Sequence, residues 1–351
     1  MSGTSVFKNE GALSPDFLPD ILPFRESQIK QIAGNLEPVG ESRRGQNTFV
    51  FGSPGIGKTA TMKFIFRKFE DEYPNVKAIY INCWDFNTSI ALMAKITNDI
   101  GMIGLIVPRR GLGKDEVNQR FTEAISKSKR EVVVCLDEVD QLIRKEPGAL
   151  YSLLRVSQYT GKDITLVLIS NDPHVFAKLE SRVLSSLNAD DIEFRPYKID
   201  EMKNILSERA KQAFVSVDSA AILLAANQAV QRGGDVRIGL QSLQKAGRFA
   251  ERKGDKKITA AHMRDIITEV KDPRSQIIKK KIGDNEKVLV DIVNKTGSMS
   301  FTELYEKYAK NVDNPVSVRM VQDYVKHLAH AKMLRLSERK IDGKRMVYSA
   351  A

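Results

Sequence analysis

The stretch Gly52-Ser53-Pro54-Gly55-Ile56-Gly57-Lys58-Thr59 constrains this chain more than any other. Ahead of it, the apolar run Thr48 to Phe51 reads as a buried strand. Behind it, Met62, Ile65, Phe66 and Phe69 recur at i, i+3, i+4 and i+7, marking one face of a helix. A strand that breaks into glycines and restarts as a helix offers converging backbone N–H groups and a positive helix end to an anion. In that setting G-x-x-x-x-G-K-[ST] binds the phosphates of a nucleoside triphosphate. Gly55, Ile56 and Gly57 supply backbone, Lys58 a point charge for the outer phosphates, and Thr59 a hydroxyl for a magnesium shell.

Further apolar runs follow at Ala78–Cys83, Val132–Leu136, Ile164–Ile169 and Ile192–Phe194, alternating with helical patterns. Continuous β-branched runs of this kind belong to parallel strands covered on both faces. Together they predict an open α/β sheet of five parallel strands, with ligands bound at the strands' carboxyl ends. Polar residues collect at those ends. Asp137 faces the metal position and Glu138 beside it orients or deprotonates a water, the pair that nucleotide hydrolysis needs. Asn171 either holds the attacking water or caps the turn Ser170-Asn171-Asp172-Pro173. Arg182, and Arg237 after Gly233-Gly234-Asp235, either stabilise phosphate charge, in cis or from a neighbouring subunit, or make surface ion pairs. Trp84, Phe64, Phe66 and Phe69 read as core or pocket wall.

Residues 1 to about 20 read as irregular, kept extended by Pro15, Pro19 and Pro23. A short helix follows around 27–36. Between Trp84 and Lys129 a mostly helical section is broken by a basic, Gly-rich stretch, Pro108 to Lys114, either an exposed loop or one that touches phosphates. From Lys198 strand signals stop, and helical patterns run at 200–213, 218–231, 236–252 and 259–270. Asp272-Pro273 and Lys279-Lys280-Lys281 read as a linker.

Beyond it, Asp284 opens a helix and Ser300-Phe301-Thr302-Glu303 is a capping box with Met299 and Leu304 as its staple. Asn314-Pro315 starts a helix to about Ala331, burying Val318, Val321, Val325 and Leu328. Two short strands then flank Asp342-Gly343, a hairpin signal. Three helices and a hairpin describe a winged helix-turn-helix. Arg319 and Lys326 face away from its core, and Lys340, Lys344 and Arg345 flank the hairpin turn, so the domain contacts either DNA or a protein. His327 and His330 are solvated helix residues. The net charge of +11 favours polyanionic partners, and 16 Lys and Arg against 9 Asp and Glu place +7 of it after Asp272.

No apolar run is long enough to span a membrane, and Met1 to Glu10 lacks the basic-then-apolar layout of a secretory signal. Cys83 and Cys135 sit singly in strand-like runs, as in a reducing compartment. With 351 residues the chain has room for two or three domains.

Taken together these residues resemble the AAA+ ATPases, and within them the archaeal origin-recognition/cell-division-control replication initiators. Gly55–Thr59 matches the family's Walker A, Leu136–Asp140 its Walker B, and Ser170-Asn171-Asp172 its sensor one. Leu22-Pro23-Phe24-Arg25-Glu26 looks like the adenine-side segment, which carries Pro23 and Arg25 to the nucleotide. Arg182 falls at the arginine finger, and Tyr197 and Arg209 at a pair closing from the lid. Gly234–Arg237 is similar to sensor two. The insert carrying Arg109 and Arg110 looks like the initiator-specific element that reaches DNA.

The resemblance implies ATP or ADP with Mg2+, and an AAA+ base domain at 1–197 with an insert at about 85–114. It further implies an all-α lid at 198–272 and a winged domain at 282–351. Expected partners are double-stranded origin DNA, the replicative minichromosome maintenance helicase and another initiator copy or paralogue. No membrane is expected, and the location is cytoplasmic and nucleoid-associated. A winged-helix transcription regulator and a clamp-loader subunit are the alternatives. The first would carry a sensor domain, and the second a Ser-Arg-Cys finger where this chain has Ser181-Arg182-Val183.

Overall fold

Strand β3, Glu131–Asp137, shows why these runs form a sheet covered on both sides. Val133 and Cys135 point into one apolar cluster, while Val132, Val134 and Leu136 point into another. Both clusters are almost wholly buried, so each face of the strand needs its own helical layer. In the computed structural model β3 joins β1 (Thr48–Gly52), β2 (Val76–Asn82), β4 (Ile164–Ser170) and β5 (Asp190–Phe194). The order is β2-β3-β4-β1-β5, and all neighbours run parallel. The structure describes residues 5–108, 111–267, 283–297, 299–312, 315–330, 334–340 and 344–350.

Helices α1 (Glu26–Gly40) and α2 (Lys58–Glu72) share one cluster with the sheet. The other cluster is closed by α3 (Ser89–Ile100), α4 (Lys114–Lys127), α5 (Val139–Lys145), α6 (Ala149–Leu154) and α8 (Ser181–Leu187), with α7 (Ser157–Thr160) between the last two in sequence. Buried Asn47 stitches the amino ends of the strands. Its Oδ1 accepts from the Leu166 N–H at 2.8 Å, and its Nδ2 donates to the Leu187 carbonyl at 2.7 Å.

The chain divides into two compact units, Met1–Val270 and Lys271–Ala351. The first therefore includes the helices α9 (Ile199–Ala213), α10 (Ser219–Gln231), α11 (Val236–Lys253) and α12 (Ala260–Ile267), which the sequence set apart as a lid. One reason is the N-terminal segment, which is neither irregular nor merely extended. Val6, Ala12 and Leu13 are buried, Glu10–Leu13 form a 3-10 helix, and Phe7 bridges to Phe214 of the helical layer. Gly247 on α11 permits this crossing, because a Cβ there would meet the Phe7 ring at 2.5 Å and the Phe214 ring at 2.7 Å. Trp84 departs from expectation too: it is 61% exposed and forms no part of the core.

The second unit is built from α13 (Asp284–Thr296), β6 (Met299–Ser300), α14 (Phe301–Asn311), α15 (Val318–His330) and the hairpin strands β7 (Leu334–Lys340) and β8 (Lys344–Ala350). The sheet order is β6-β8-β7, antiparallel throughout. Leu289, Val293, Leu304, Tyr308, Val321, Val325 and Leu328 form its core. Ser300 and Glu303 make the reciprocal capping box read from the sequence. Helix α15 starts later than Pro315, with the Ser317 carbonyl accepting from the Val321 N–H at 3.1 Å. Val318 consequently faces solvent at 46% exposure instead of the core. Asn314, Ala331, the Asp342-Gly343 turn and the Lys279-Lys280-Lys281 linker lie outside the described residues. Among the described residues, no helix is long and apolar enough to cross a membrane.

Replacing Asn47 by Ala strands the Leu166 N–H and the Leu187 carbonyl in the interior. The expected loss is about 2–4 kcal/mol, read as a lower urea midpoint with an unchanged slope.

Candidate nucleotide site

The strand order decides which chain ends meet. Because β4 lies between β1 and β3, the residue after β4 stands between the glycine loop and the Asp137-Glu138 pair. That residue is Asn171. Its Oδ1 accepts from Lys58 Nζ at 2.9 Å, while its Nδ2 donates to both Glu138 oxygens at 3.1 and 2.9 Å. Only this orientation of the amide satisfies an ammonium on one side and a carboxylate on the other. Lys58 also donates to the Gly52 and Ser53 carbonyls at 2.8 and 2.9 Å, so the ammonium is held over its own loop.

Thr59 Oγ1 donates to Asp137 Oδ2 at 2.6 Å. Asp137 Oδ1 accepts the Glu138 N–H at 2.9 Å. Glu138 itself has φ 54° and ψ 45°, a left-handed conformation that costs a non-glycine residue about 1–2 kcal/mol. Burial and the neighbouring Asp137 raise the Glu138 carboxyl above the ordinary carboxylate range, and the Asn171 donor pulls the other way. A raised carboxyl fixed by one amide suits a base that takes a proton from water.

The fit to nucleotide and metal rests on two features. Gly55 has φ +76°, and a Cβ on it would lie 1.9 Å from Asp235 Oδ1, so only glycine lets the loop take this turn with Asp235 packed against it. Two hard-oxygen groups, the Thr59 hydroxyl and the Asp137 carboxylate, converge next to the lysine. Among the described residues no three His, Cys, Asp or Glu side chains gather as a metal cage. Few protein ligands, with phosphates completing the shell, are what Mg2+ uses.

A cleft of about 710 Å³ opens here, lined by Gly55, Gly57, Lys58, Thr59, Asp137, Glu138 and Asn171 on the sheet side. Pro23, Tyr197, Arg209 and Arg237 line it from the linker and helical side. A larger cleft of about 870 Å³ lies at the amino ends of the strands, beside Asn47 and Asn188, but no lysine or carboxylate lines it. Size therefore does not pick the site; the chemistry does.

Several residues carried to the nucleotide by resemblance are also engaged with other groups of the chain. Arg25 is buried and does not line the cleft; its Nη2 donates to the Ile56 carbonyl at 2.8 Å and the Arg195 carbonyl at 3.0 Å. Its guanidinium lies 3.9 Å from the Tyr197 ring centroid, so it braces the loop from beneath. Burial pushes the Tyr197 phenol up, against the pull of that arginine. The Ile56 side chain is wholly buried, leaving only its backbone at the loop.

Arg209 does line the cleft, yet its guanidinium donates to the Ala12, Phe17 and Ser14 carbonyls at 2.5, 3.1 and 2.8 Å. Burial lowers it to about 10, still charged at neutral pH. Arg237 donates twice to Asp235, at 2.9 and 2.6 Å, and the Val236 N–H donates to the Gly55 carbonyl at 3.0 Å. Arg182 is not brought to this cleft; it pairs with Glu180 at 2.6 Å and lies over Tyr151.

Sequence reasoning missed Tyr80 and Asp235. Tyr80 Oη donates to Asp137 Oδ2 at 2.6 Å. Asp235 was legible only as the residue before Arg237, although it caps α11 and fixes that arginine.

Gly55→Ala is expected to weaken ATP binding by about tenfold or more, the cost of a left-handed alanine alone, measured with a fluorescent ATP analogue.

The comparisons with known proteins agree with this geometry. A model of the AAA domain matches residues 42–176, and a model of the Cdc6 AAA+ ATPase-type lid domain matches 203–267. An ORC1-type DNA replication protein of Thermococcus kodakarensis is 34% identical over 341 residues, covering 92% of this chain and 82% of the relative. The ORC1-type DNA replication protein 1 of Archaeoglobus fulgidus is 32% identical over 344 residues, covering 93% and 83%. The solved structure of the Aeropyrum pernix ORC1 protein in complex with DNA superposes with a TM-score of 0.73 at 27% identity, covering 98% of this chain and 93% of that one. A nucleotide cleft built on this sheet order, in a chain with these relatives, belongs to the family of ORC1-type DNA replication proteins, the AAA+ ATPases of replication initiation.

Proposed function

We propose that this chain is an ATP-switched initiator that grips duplex origin DNA and recruits or loads the replicative helicase. The observation that carries the ATP half is the single amide of Asn171 joining Lys58 to Glu138. Thr59 and Asp137 would hold Mg2+, which when bound neutralises phosphate charge. Lys58 stands to pair with the outer phosphates, and Glu138, aimed by Asn171, takes the proton of the attacking water. Arg182, exposed and outside the cleft, suits a role across an interface, completing the site of a neighbouring initiator copy. Hydrolysis then resets a bound state rather than driving movement.

The DNA half is supported by the second unit. Its helix–strand–helix–helix–hairpin order is that of a winged helix-turn-helix, and α15 holds Arg319 and Lys326 exposed, with Lys326 3.9 Å from Asp323. Such a helix reads the major groove while its cations meet phosphates. His327 is not a free surface group: its Nδ1 lies 2.6 Å from Glu286, which ties α15 to α13. The hairpin strands carry Lys340, Lys344 and Arg345, whose side chains lie outside the described residues, as do Arg109 and Arg110. Next to those two arginines the insert exposes Ile103 and Ile106, while Val107 is buried and held by Asn98 at both its N–H and its carbonyl. That anchored, outward loop supports the second DNA contact. The relative solved in complex with DNA supports reading both elements as DNA contacts.

Three measurements test the proposal. Glu138→Gln should keep ATP affinity and lower turnover by about 100-fold or more, in steady-state phosphate release; wild-type turnover would remove Glu138 as the base. Selection of fragmented genomic DNA by the ATP-loaded protein at moderate salt should enrich one or a few loci with repeated oriented sites. Enrichment across many promoters would favour a transcription regulator instead. Changing Arg319 and Lys326 together to Ala should reduce the slope of log affinity against log salt by about 1–2, equally for all sequences.

A further inference from the structure

The hydrogen bond from Tyr80 to Asp137 has no part in the scheme above, and its placement is specific. In the parallel pairing of β2 with β3, Tyr80 stands opposite Cys135 and Asn82 opposite Asp137. Asp137 is thus the diagonal neighbour of Tyr80 on the same face, a separation a tyrosine can span. The phenol oxygen reaches Asp137 Oδ2 at 2.6 Å, the same atom that accepts from Thr59 Oγ1 at 2.6 Å. Lys63, one turn after Thr59 on α2, places its Nζ 5.0 Å from the Tyr80 ring centroid. Two strands and one helix therefore close a circuit around a single carboxylate oxygen.

Lone-pair accounting shows what the circuit does. An ionised carboxylate offers about four acceptor directions. On Asp137, Oδ2 takes Thr59 and Tyr80, and Oδ1 takes the Glu138 N–H at 2.9 Å. About one direction, on Oδ1, is left, together with the lone pairs of the Thr59 hydroxyl whose proton is committed to Asp137.

We infer that Tyr80 is a positioning residue for the metal site, fixing the rotation of the Asp137 carboxylate and the direction of the Thr59 hydroxyl. The inference rests on the reading that Thr59 and Asp137 hold Mg2+. Tyr80 does not line the cleft; it acts by leaving one arrangement of oxygens where several would otherwise compete. Phenylalanine keeps the ring against Lys63 and loses only the bond.

The test compares wild-type protein with Tyr80→Phe in binding of a fluorescent ATP analogue, first in EDTA and then across a Mg2+ titration. Metal-free affinity should be the same in both, and the Mg2+ concentration for half-maximal enhancement should rise by about tenfold in the variant. Turnover should fall most at limiting Mg2+ and recover as the metal saturates, which loss of packing would not produce. Superimposable Mg2+ curves would overturn the role of Tyr80 while leaving Thr59 and Asp137 as metal holders. A variant weaker in EDTA as well would overturn it too, since the bond would then serve the fold. Wild-type binding indifferent to Mg2+ would instead remove the metal assignment and the inference with it.

Discussion

Asn171 is the group on which the site depends, and its chemistry leaves little choice. It must face an ammonium and a carboxylate at once, in a place where neither reaches bulk water freely. Aspartate there would pair with Lys58 but repel Glu138, and a basic residue would do the reverse. An amide presents an acceptor and a donor on one rigid plane, so it satisfies both without adding charge. The position itself follows from topology. Inserting β4 between β1 and β3 is what brings a third strand end between phosphate loop and acidic pair. Strand order and reactive geometry are one fact seen at two scales.

The acidic pair shows how strain is held in place. Glu138 occupies a left-handed conformation that the helix start after β3 requires. Its N–H is captured by Asp137 and its carboxylate by Asn171, and these bonds over-determine the residue enough to keep it there. The strain also separates the roles. With the backbone turned, Asp137 points to Thr59 and Tyr80, whereas its neighbour points to the sensor strand. Two adjacent carboxylates on an ordinary strand would alternate between faces, and only one of them would reach the cleft.

What could be read in the sequence was whatever local pattern determines. The runs Val132–Leu136 and Ile164–Ile169 are β-branched and unbroken, so their burial on both faces was legible, and the glycine loop dictates its own backbone. The Ser300–Glu303 box is equally local. Contacts between distant segments were not legible. Tyr80 in a half-buried strand looks like any strand aromatic until register puts it diagonal to Asp137. Val6 to Leu13 carries too few apolar residues for periodicity to show, yet it completes the helical layer. Arg25 was placed at the nucleotide because its neighbours resemble the adenine-side segment; only the fold reveals that its carbonyl partners are Ile56 and Arg195. The start of α15 was misplaced for a simpler reason. Pro315 is compatible with a first helical turn, but Ser317 offers a better cap two residues on, and the helix takes it.

The same long-range bonds join the two layers of the ATPase unit. Sheet and helical layer are tied where the Val236 N–H donates to the Gly55 carbonyl and Asp235 packs where a Gly55 side chain would be, while Arg25 ties the phosphate loop to the chain after β5 through the Ile56 and Arg195 carbonyls. The Arg209 clamp adds the N-terminal segment, so that Phe17, which lines the cleft, is bound to the helical layer. Each tie is one or two hydrogen bonds, individually worth about 0.5–1.5 kcal/mol, so none locks the layers by itself. Gly55 on the sheet side and Tyr197 and Arg237 on the helical side line the cleft, so a ligand filling it would meet both layers. It can therefore shift the balance between arrangements by the difference in its own affinity for them, which is all that a nucleotide switch requires.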